Sequence, residues 1–223
     1  MSDSSDSAES AASSESDGPP GPMLPTTIPF PEQLLGRRIL LRPYDASDAA
    51  SVREAVEESR ESLRPWMPWW QTHQTIEESI DFCIRSRARW MLRHTMNFGI
   101  WERATGRYVG GTGYNDPDWK ARRFEIGYWL RESAVGQGYV TEAARVLTRT
   151  AFEHLDANRV EIHCDARNER SRRVAERCGF TLEGTLRRHD LATDGKLRDL
   201  VIYGLIREEY ESLLPTWRES FDA

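Results

Sequence analysis

The sequence predicts an α+β fold with α/β/α layers, in which helices cover both faces of a mixed, mostly antiparallel, twisted sheet. Its periodic segments run in the order strand, two helices, three strands, helix, strand, helix, two strands, helix. Closely spaced strands, which form antiparallel hairpins, flank a strand–helix–strand unit, which forms a parallel pair. The length of 223 residues suffices for one domain with a sizeable core.

Residues 1–31 differ in composition from the rest and are predicted to form a disordered, acidic, Ser- and Pro-rich tail and lead-in, leaving 32–223 as a single domain. Residues 1–35 hold six acidic residues and no basic one, whereas the remainder has 30 of each sign. The net charge of −6 therefore belongs to the N-terminal segment. Because the domain itself is neutral, no direct nucleic-acid binding is expected.

Targeting and metal-binding patterns do not stand out in the sequence. The N-terminal stretch lacks the basic residues and apolar run of a secretory signal, and no later segment reaches membrane-spanning length. A cytoplasmic protein without membrane contact is predicted. Three cysteines without C-x-x-C spacing argue against a disulfide framework or a zinc site.

The first half of the domain is predicted to contain one strand and two helices. Residues 37–42 have strand character, which Pro43 ends, and a helical pattern follows Asp48. A second helix is predicted to start at Thr75, which forms a capping-box pattern with Glu78. Its apolar face is predicted to contain Ile76, Ile80, Cys83, Ile84 and Met91.

The second half is predicted to begin with a meander of three strands, MNFGIWE, YVGGTGY and FEIGYWL. The helix after it repeats apolar residues every three or four positions, at Val140, Ala144, Leu147, Ala151 and Leu155. RVEIHCDAR then alternates apolar and polar residues, as a strand does. A short helix ending at Gly179, two strands around the TDGK turn and a helix reaching Pro215 complete the chain.

Gly136 and Gly138 lie one residue apart at the start of the helix after the meander. Glycines there permit close backbone approach, and a helix N-terminus offers free N–H groups and partial positive charge to an anion such as phosphate. The dinucleotide-binding fingerprint fails because Thr141 occupies its third glycine position, and the P-loop fails because no lysine follows. These residues alone leave both a phosphate-binding turn and a plain connecting turn open.

Five segments in order resemble the GNAT superfamily of acyl-CoA N-acyltransferases, and more closely its RimJ/RimL branch: FEIGYWL, VGQGYVTEA, NERSRRVAERCGF, LEGTLR and DLVIYGL. LRPWMPWW also looks like the substrate-side loop of that branch, and the resemblance spans Arg37 to about Glu209. It implies a GNAT-like sheet with a splayed, bulged central strand. It also implies metal-free transfer from acetyl-CoA to a primary amine, foremost a protein N-terminal α-amine such as that of a ribosomal protein. A homodimer is compatible with it.

The resemblance assigns coenzyme A contacts as well. Asn168 and Ser171, in the N-x-x-S motif, would touch the pantetheine or orient the acyl end. Backbone groups would pair with the pantetheine along Tyr128, Trp129 and Leu130, and would hold the pyrophosphate at Val135, Gly136, Gln137, Gly138, Tyr139 and Val140.

The chain departs from the family pattern at two positions. Ser133 stands where Arg or Gln usually begins the phosphate loop. Ala175 stands where many members have the tyrosine that protonates the leaving thiolate, so Tyr203 or water is the substitute considered for that acid.

Transfer to an amine needs a group that takes a proton from the ammonium form. Glu125 is the first candidate base because its strand leads to the acyl site; a surface ion pair with Arg122 or Arg123 is the alternative. His163 is the second candidate, and an ordinary polar sheet face is its alternative.

A main-chain N–H near Trp129 or Leu130 would hold the oxyanion of the tetrahedral intermediate. Cys164 lies on the apolar side of its strand and Cys178 at a helix end, which are positions of buried thiols rather than nucleophiles. Direct attack in a ternary complex is therefore predicted.

The aromatic segment near residue 66 is predicted to wall the acceptor channel, although a packed loop over the sheet is the alternative. Two other functions stay open: acetylation of a small amine (amino acid, polyamine or antibiotic), and acyl-CoA sensing without turnover, which Ala175 keeps open. The wall residues are Trp66, Met67, Trp69 and Trp70.

Overall fold

The computed structural model describes residues 24–217 and residue 221, so most of the predicted tail, residues 1–23, lies outside the described residues. Within them, the strands are β1 (Leu34–Leu35), β2 (Ile39–Arg42), β3 (Met96–Glu102), β4 (Tyr108–Asp118), β5 (Arg123–Leu130), β6 (Arg159–Asp165), β7 (Thr181–Leu191) and β8 (Leu197–Ile206). The helices are α1 (Ala49–Leu63), α2 (Ile76–Met91), α3 (Tyr139–His154), α4 (Glu169–Arg177) and α5 (Arg207–Trp217). Short 3₁₀ helices span Pro25–Thr27, Ala46–Asp48 and Glu132–Ala134.

The strands form one sheet in the order β1-β2-β3-β4-β5-β6-β8-β7, and β5–β6 is the parallel pair among the described strands. Ile100 and Trp101 are consecutive on β3 yet belong to different core clusters, so both faces of the sheet are covered. The cluster that contains Trp101 also contains Val52 of α1, and the cluster that contains Ile100 also contains Leu147 of α3. The predicted mixed sheet with helices on both faces is confirmed.

The parallel pair is short, and this opens the sheet. β5 and β6 are paired at three positions, Arg123 with Arg159, Phe124 with Val160, and Glu125 with Glu161. After Glu125 the two strands diverge, while β5 stays paired with β4 up to Leu130. The splayed central strand is thus present, and an adjoining bulge lies in β4, where the register shifts between Asn115 and Asp118.

The predicted apolar face of α2 is wrong. Among its five residues only Cys83 is buried, whereas the isoleucines and Met91 are exposed. The helix instead buries Ser79, Cys83, Ser86 and Trp90. Ser79 fits there because its hydroxyl lies 3.0 Å from Nδ1 of the buried His73 ring. A pattern that counts apolar residues cannot identify a buried face made of small polar ones.

The remaining predictions need smaller corrections. β2 begins at Ile39, and the two-residue strand β1 has no predicted counterpart. α5 continues through Pro215 to Trp217. The side chain of Trp217 is buried and packs on the ring of Tyr210, which favours this longer helix. The predicted apolar face of α3 is confirmed, since all five of its residues are buried.

Candidate active site

The divergence of β5 and β6 opens a cleft of about 1270 Å³. Residues from the start of α3, from α4, and from the loop between α1 and α2 line it together with the splayed strands. Segments far apart in the sequence thus face one space.

A row of unused backbone amides marks the N-terminus of α3. Among the described residues, none accepts a hydrogen bond from the amides of residues 136–141, and Glu142 is the first to donate to a preceding carbonyl, that of Gly138 (3.1 Å). Val135 differs from the other residues predicted to hold the pyrophosphate, because its amide donates to the Glu132 carbonyl (3.1 Å). The amide of Thr141, which was not among the predicted residues, belongs to the row. Such a row of N–H groups is chemically suited to a pyrophosphate.

The two glycines of this segment are required by backbone conformation. Gly136 has φ +81° and Gly138 has φ +83°, a left-handed region that other residues rarely adopt. A Cβ built on Gly136 meets no heavy atom within 4 Å, and one built on Gly138 meets only the Arg38 guanidinium, at 3.4 Å. A side chain at either position would project into open space beside the amides.

One edge of β5 faces the gap with alternate backbone groups. The Arg131 amide donates to the Val109 carbonyl of β4 (2.9 Å). Because backbone groups alternate in direction along an antiparallel ladder, the N–H and C=O of Trp129 also point toward β4. The backbone groups of Tyr128 and Leu130 then point toward the gap. Of the three predicted pantetheine contacts, Trp129 is the one whose backbone groups point away from the gap, and Leu130 is the better placed of the two predicted oxyanion donors.

The start of α4 lies across the gap from β5. Asn168 caps this helix, since its side-chain oxygen accepts from the Ser171 amide (3.1 Å). The Ser171 hydroxyl lies 2.9 Å from the Tyr128 hydroxyl, and all three residues line the cleft. Burial raises the pKa of Tyr128 well above its ordinary value, so this phenol keeps its proton.

Three arginines of α4, Arg170, Arg173 and Arg177, also line the cleft, and the sequence analysis missed them. Their spacing of three and four residues places them on one helix face, a signal that was visible in the sequence. They add positive side chains to the cleft that Gly136 and Gly138 also line.

Glu125 and His163 meet where β5 and β6 separate. Oε2 of Glu125 lies 3.4 Å from His163 Nδ1, and Nε2 of the same ring lies 3.0 Å from Oε2 of Glu161. Burial alone would lower the pKa of His163, but the hydrogen bond to Glu161 and the charge of Glu125 outweigh it and raise the pKa. Both predicted candidates line the cleft.

The alternative proposed for Glu125 does not describe its surroundings. Arg122 pairs with Asp156, and Arg123 lies near Asp118 (3.9 Å) and Glu161 (3.7 Å). The hydrogen-bond partner of Glu125 among the described residues is Asn115, at 3.4 Å. Its carboxylate is thus directed toward the histidine and the cleft.

Tyr203 lies away from the cleft. Its side chain is buried, its hydroxyl donates to Oε1 of Glu176 (3.0 Å), and Nε of Arg172 donates to it (3.3 Å). It is not among the residues that line the cleft. The geometry gives no support to Tyr203 as the acid, and Ala175 is itself fully buried.

The aromatic segment provides one wall of the cleft. Trp66, Met67 and Trp69 line it, and Trp69 packs edge-to-face on Trp129 of β5 with ring centroids 5.3 Å apart. Trp70 differs from its predicted role, because it does not line the cleft and lies under the Arg64 guanidinium instead. The segment is both a packed loop and a cleft wall.

The three thiols are buried, and burial raises the pKa of each, to about 12 for Cys83 and Cys178. A thiol that stays protonated is a poor nucleophile. Within residues 24–217 and 221, no cluster of His, Cys, Asp and Glu could hold a metal ion. None of the helices in that part of the chain has the length and apolarity needed to cross a bilayer.

Comparison with known proteins places these features in a family. Residues 38–181 match the family model described as "Acetyltransferase (GNAT) domain". YdaF of Bacillus subtilis (strain 168), named provisionally as a ribosomal N-acetyltransferase, is 31% identical over 179 residues, which cover 79% of this chain and 96% of YdaF. The ribosomal-protein-serine acetyltransferase of Escherichia coli (strain K12) is 35% identical over 86 residues, covering 39% of this chain and 48% of that protein.

A solved structure shows the same architecture. The microcin C7 self-immunity acetyltransferase MccE, crystallised with acetyl-CoA and AMP, superposes with a TM-score of 0.72 at 25% identity. The match covers 76% of this chain and 93% of MccE.

Proposed function

The chain belongs to the GNAT acetyltransferase family and is an acetyl-CoA-dependent N-acetyltransferase, and from that premise we propose that its acceptor is a protein N-terminal α-amine. One observation carries the proposal: a single cleft joins the unused amides of α3 to the Glu125–His163 pair and ends against an aromatic wall. Along one cleft, this arrangement provides amides that can bind phosphate, a pair of side chains that can accept a proton, and an apolar surface for the acetyl acceptor.

Coenzyme A is proposed to lie along the splay. The amides of residues 136–141 bind its pyrophosphate, and the backbone of Tyr128 and Leu130 pairs with the pantetheine. The α4 arginines line the same cleft and add positive charge to it. Asn168 and Ser171 contact the thioester end. Backbone donors dominate this half of the site, so the missing side-chain donor at Ser133 is compensated.

The reaction is proposed to proceed by direct attack. The acceptor ammonium gives a proton to the Glu125–His163 pair, and the neutral nitrogen then attacks the thioester carbonyl. The C–N bond forms, the C–S bond breaks, and the Leu130 amide stabilises the oxyanion between these steps. The leaving thiolate takes a proton from the Ser171 hydroxyl, which lies 2.9 Å from the protonated Tyr128 phenol. Ser171 regains a proton, through solvent, from the attacking nitrogen, which loses its second proton as it becomes the amide. These two hydroxyls replace the acid that Ala175 lacks.

The acceptor proposal is supported by the names of the relatives and by the wall. YdaF and the E. coli protein are both named for ribosomal acceptors. Trp66 and Trp69 offer rigid apolar surface on which the first side chains of a peptide can pack. Residues 32–223 as one catalytic domain, a homodimer and a cytoplasmic location remain predictions.

A small-amine acceptor is the second candidate function, and the likeness to MccE favours it, because MccE is named for self-immunity to a microcin. The proposal is tested by measuring release of free coenzyme A from acetyl-CoA with short peptides of varied N-terminal residue. The same peptides carrying a blocked N-terminus are the matched controls, and polyamines, amino acids and aminoglycosides form a parallel panel.

Release with free peptides and not with blocked ones supports the proposal. Release with a small amine alone moves the acceptor to the second candidate. Binding of acetyl-CoA without release across both panels contradicts the acceptor classes that these compounds represent.

A further inference from the structure

Glu161 is a buried carboxylate on β6, two residues before His163 of the proposed catalytic pair. It is 6% exposed, does not line the cleft, and lies directly opposite Glu125 in the parallel register. Burial would raise the pKa of Glu161, but its hydrogen bonds to His163 and Arg159 lower it to about 2. A buried charge of this kind is maintained only by specific partners, which indicates a built arrangement.

The contact to Glu161 decides which imidazole nitrogen is available. Oε2 of Glu161 lies 3.0 Å from Nε2 of His163, and a carboxylate at that distance accepts the Nε2 proton. Nδ1 is then the nitrogen that faces Glu125 and the cleft. Glu161 therefore both orients the ring and selects its tautomer.

The carboxylate of Glu161 is itself fixed by Arg159, which lies two residues earlier on the same strand. Nε of Arg159 donates to its Oε1 (2.6 Å), and the other nitrogens of that guanidinium hold Glu183 on the edge strand β7. Gly204 leaves room for this pair, because a Cβ there would lie 2.5 Å from an Arg159 nitrogen and 2.6 Å from Glu183 Oε1. A chain of charged contacts thus runs from the sheet edge to the cleft.

We infer that Glu161 is a positioning residue for acetyl transfer: it holds His163 with Nδ1 toward the cleft and stabilises the imidazolium that forms when the acceptor loses its proton. The inference rests on the proposed role of His163. Glu161 takes no proton and touches no substrate. Its carboxylate plays the part that a buried Asp plays toward histidine in hydrolase triads.

The charges around His163 give the sign of the expected effect. Glu125 and Arg123 face the ring from β5, Glu161 faces it from its own strand, and the residue opposite it on β8 is the uncharged Ile202. Replacing Glu161 by glutamine removes one of the two negative charges, so the imidazolium is less stable and the pKa of His163 falls.

The test combines an NMR titration of the His163 ring with the pH profile of kcat, in wild type, Glu161→Gln and Glu161→Asp. His163→Asn identifies the ring resonance. In Glu161→Gln we expect the pKa of His163 and the acid limb of kcat to move down together by about one pH unit, and kcat at its plateau to fall about tenfold. Acetyl-CoA affinity should stay unchanged, and Glu161→Asp should give an intermediate shift.

The outcomes separate this inference from the proposed function. An unchanged ring pKa in a folded Glu161→Gln or Glu161→Asp variant overturns the inference, whatever the activity. A ring pKa that falls while the acid limb stays in place shows that His163 is not the group titrating in catalysis, which overturns its proposed role and the inference with it. If Glu161→Gln does not fold, Glu161→Asp carries the test, because it retains the charge at a longer distance from the ring.

Discussion

The two halves of the cleft are built from different kinds of groups. The half that is proposed to bind coenzyme A consists mainly of backbone, with the amides of residues 136–141 and the free edge of β5. The acceptor half consists of side chains from several elements: Glu125 on β5, His163 on β6 and the aromatic loop between α1 and α2. The first half depends on local conformation, and the second depends on tertiary contacts that bring distant residues together. Variants that damage one half should therefore leave the other measurable.

The largest expected effect is on the backbone half. Gly138→Val should raise the dissociation constant of acetyl-CoA about 100-fold, because a β-branched residue in the left-handed region is strained by ~1–3 kcal/mol and its side chain would enter the phosphate space. Isothermal titration calorimetry measures this directly. The matched control is Gly195→Val in the β7–β8 turn, where φ is +77° and no atom lies within 4 Å of a Cβ. Equal weakening by both variants would mean that strain alone, and not the cradle, is responsible.

Loss of the proton acceptor should be nearly as severe but confined to turnover. Glu125→Gln should lower kcat about 100-fold while acetyl-CoA affinity stays the same. Steady-state kinetics and calorimetry on the same preparation measure the two quantities. A kcat within about threefold of wild type would remove Glu125 from the mechanism.

The pH dependence of kcat in the wild-type enzyme should report the titration of His163 in the Glu125–His163 pair. Since the pKa of His163 is raised above its ordinary value of about 6.5, the acid limb of kcat should lie above that pH. Below it, kcat should fall about tenfold per pH unit, because the imidazolium cannot accept the acceptor's proton. A kcat that is flat from pH 6 to pH 8 would contradict the assignment.

A moderate effect is expected at the thioester. Ser171→Ala should lower kcat about tenfold, since the leaving thiolate loses its proposed proton donor. Tyr203→Phe is the control, because its hydroxyl is bonded to Glu176 outside the cleft, and kcat should change by less than about twofold. The reverse ranking would restore Tyr203 as the acid.

The smallest effect is expected at the wall. Trp66→Ala should raise the acceptor KM about fivefold, equivalent to ~1 kcal/mol, with acetyl-CoA affinity unchanged. Trp70→Ala offers a matched control, because Trp70 belongs to the same loop but does not line the cleft. Matched losses of acceptor and acetyl-CoA binding in Trp66→Ala would indicate a destabilised fold.

The sequence predicts the backbone half of the cleft better than the side-chain half. Positive φ at Gly136 and Gly138 follows from local chemistry, and α3 follows from its apolar repeat. The resemblance to a family adds the splay of β5. The engaged amide of Val135 could not be predicted, because it depends on a 3₁₀ turn just before it.

The side-chain half depends on which strands pair with β6 and in what register. The alternation of apolar and polar residues along one strand does not give this information. RVEIHCDAR predicts a polar face containing Glu161 and His163, but whether that face meets solvent or a partner strand depends on β5 and β8 lying beside it. The alternation places Glu161 and His163 on one face, but the burial of Glu161 depends on these neighbouring strands and has no signature in the sequence. Burial of Ser79 on α2 is hard to predict for a related reason, since its hydroxyl contacts the ring of His73, which lies before the helix.

The short parallel ladder also has a consequence for how the molecule comes apart. Three paired positions join the β1–β5 half of the sheet to the β6–β8 half, so backbone bonding between the halves is slight. α3 also spans both halves, since it lies across β4, β5 and β6, and the Tyr114 hydroxyl of β4 donates to the Leu147 carbonyl of that helix (2.6 Å). We therefore expect the two halves to open along this seam before either ladder unfolds. Amide exchange at this seam should report the stability of α3 rather than that of either ladder.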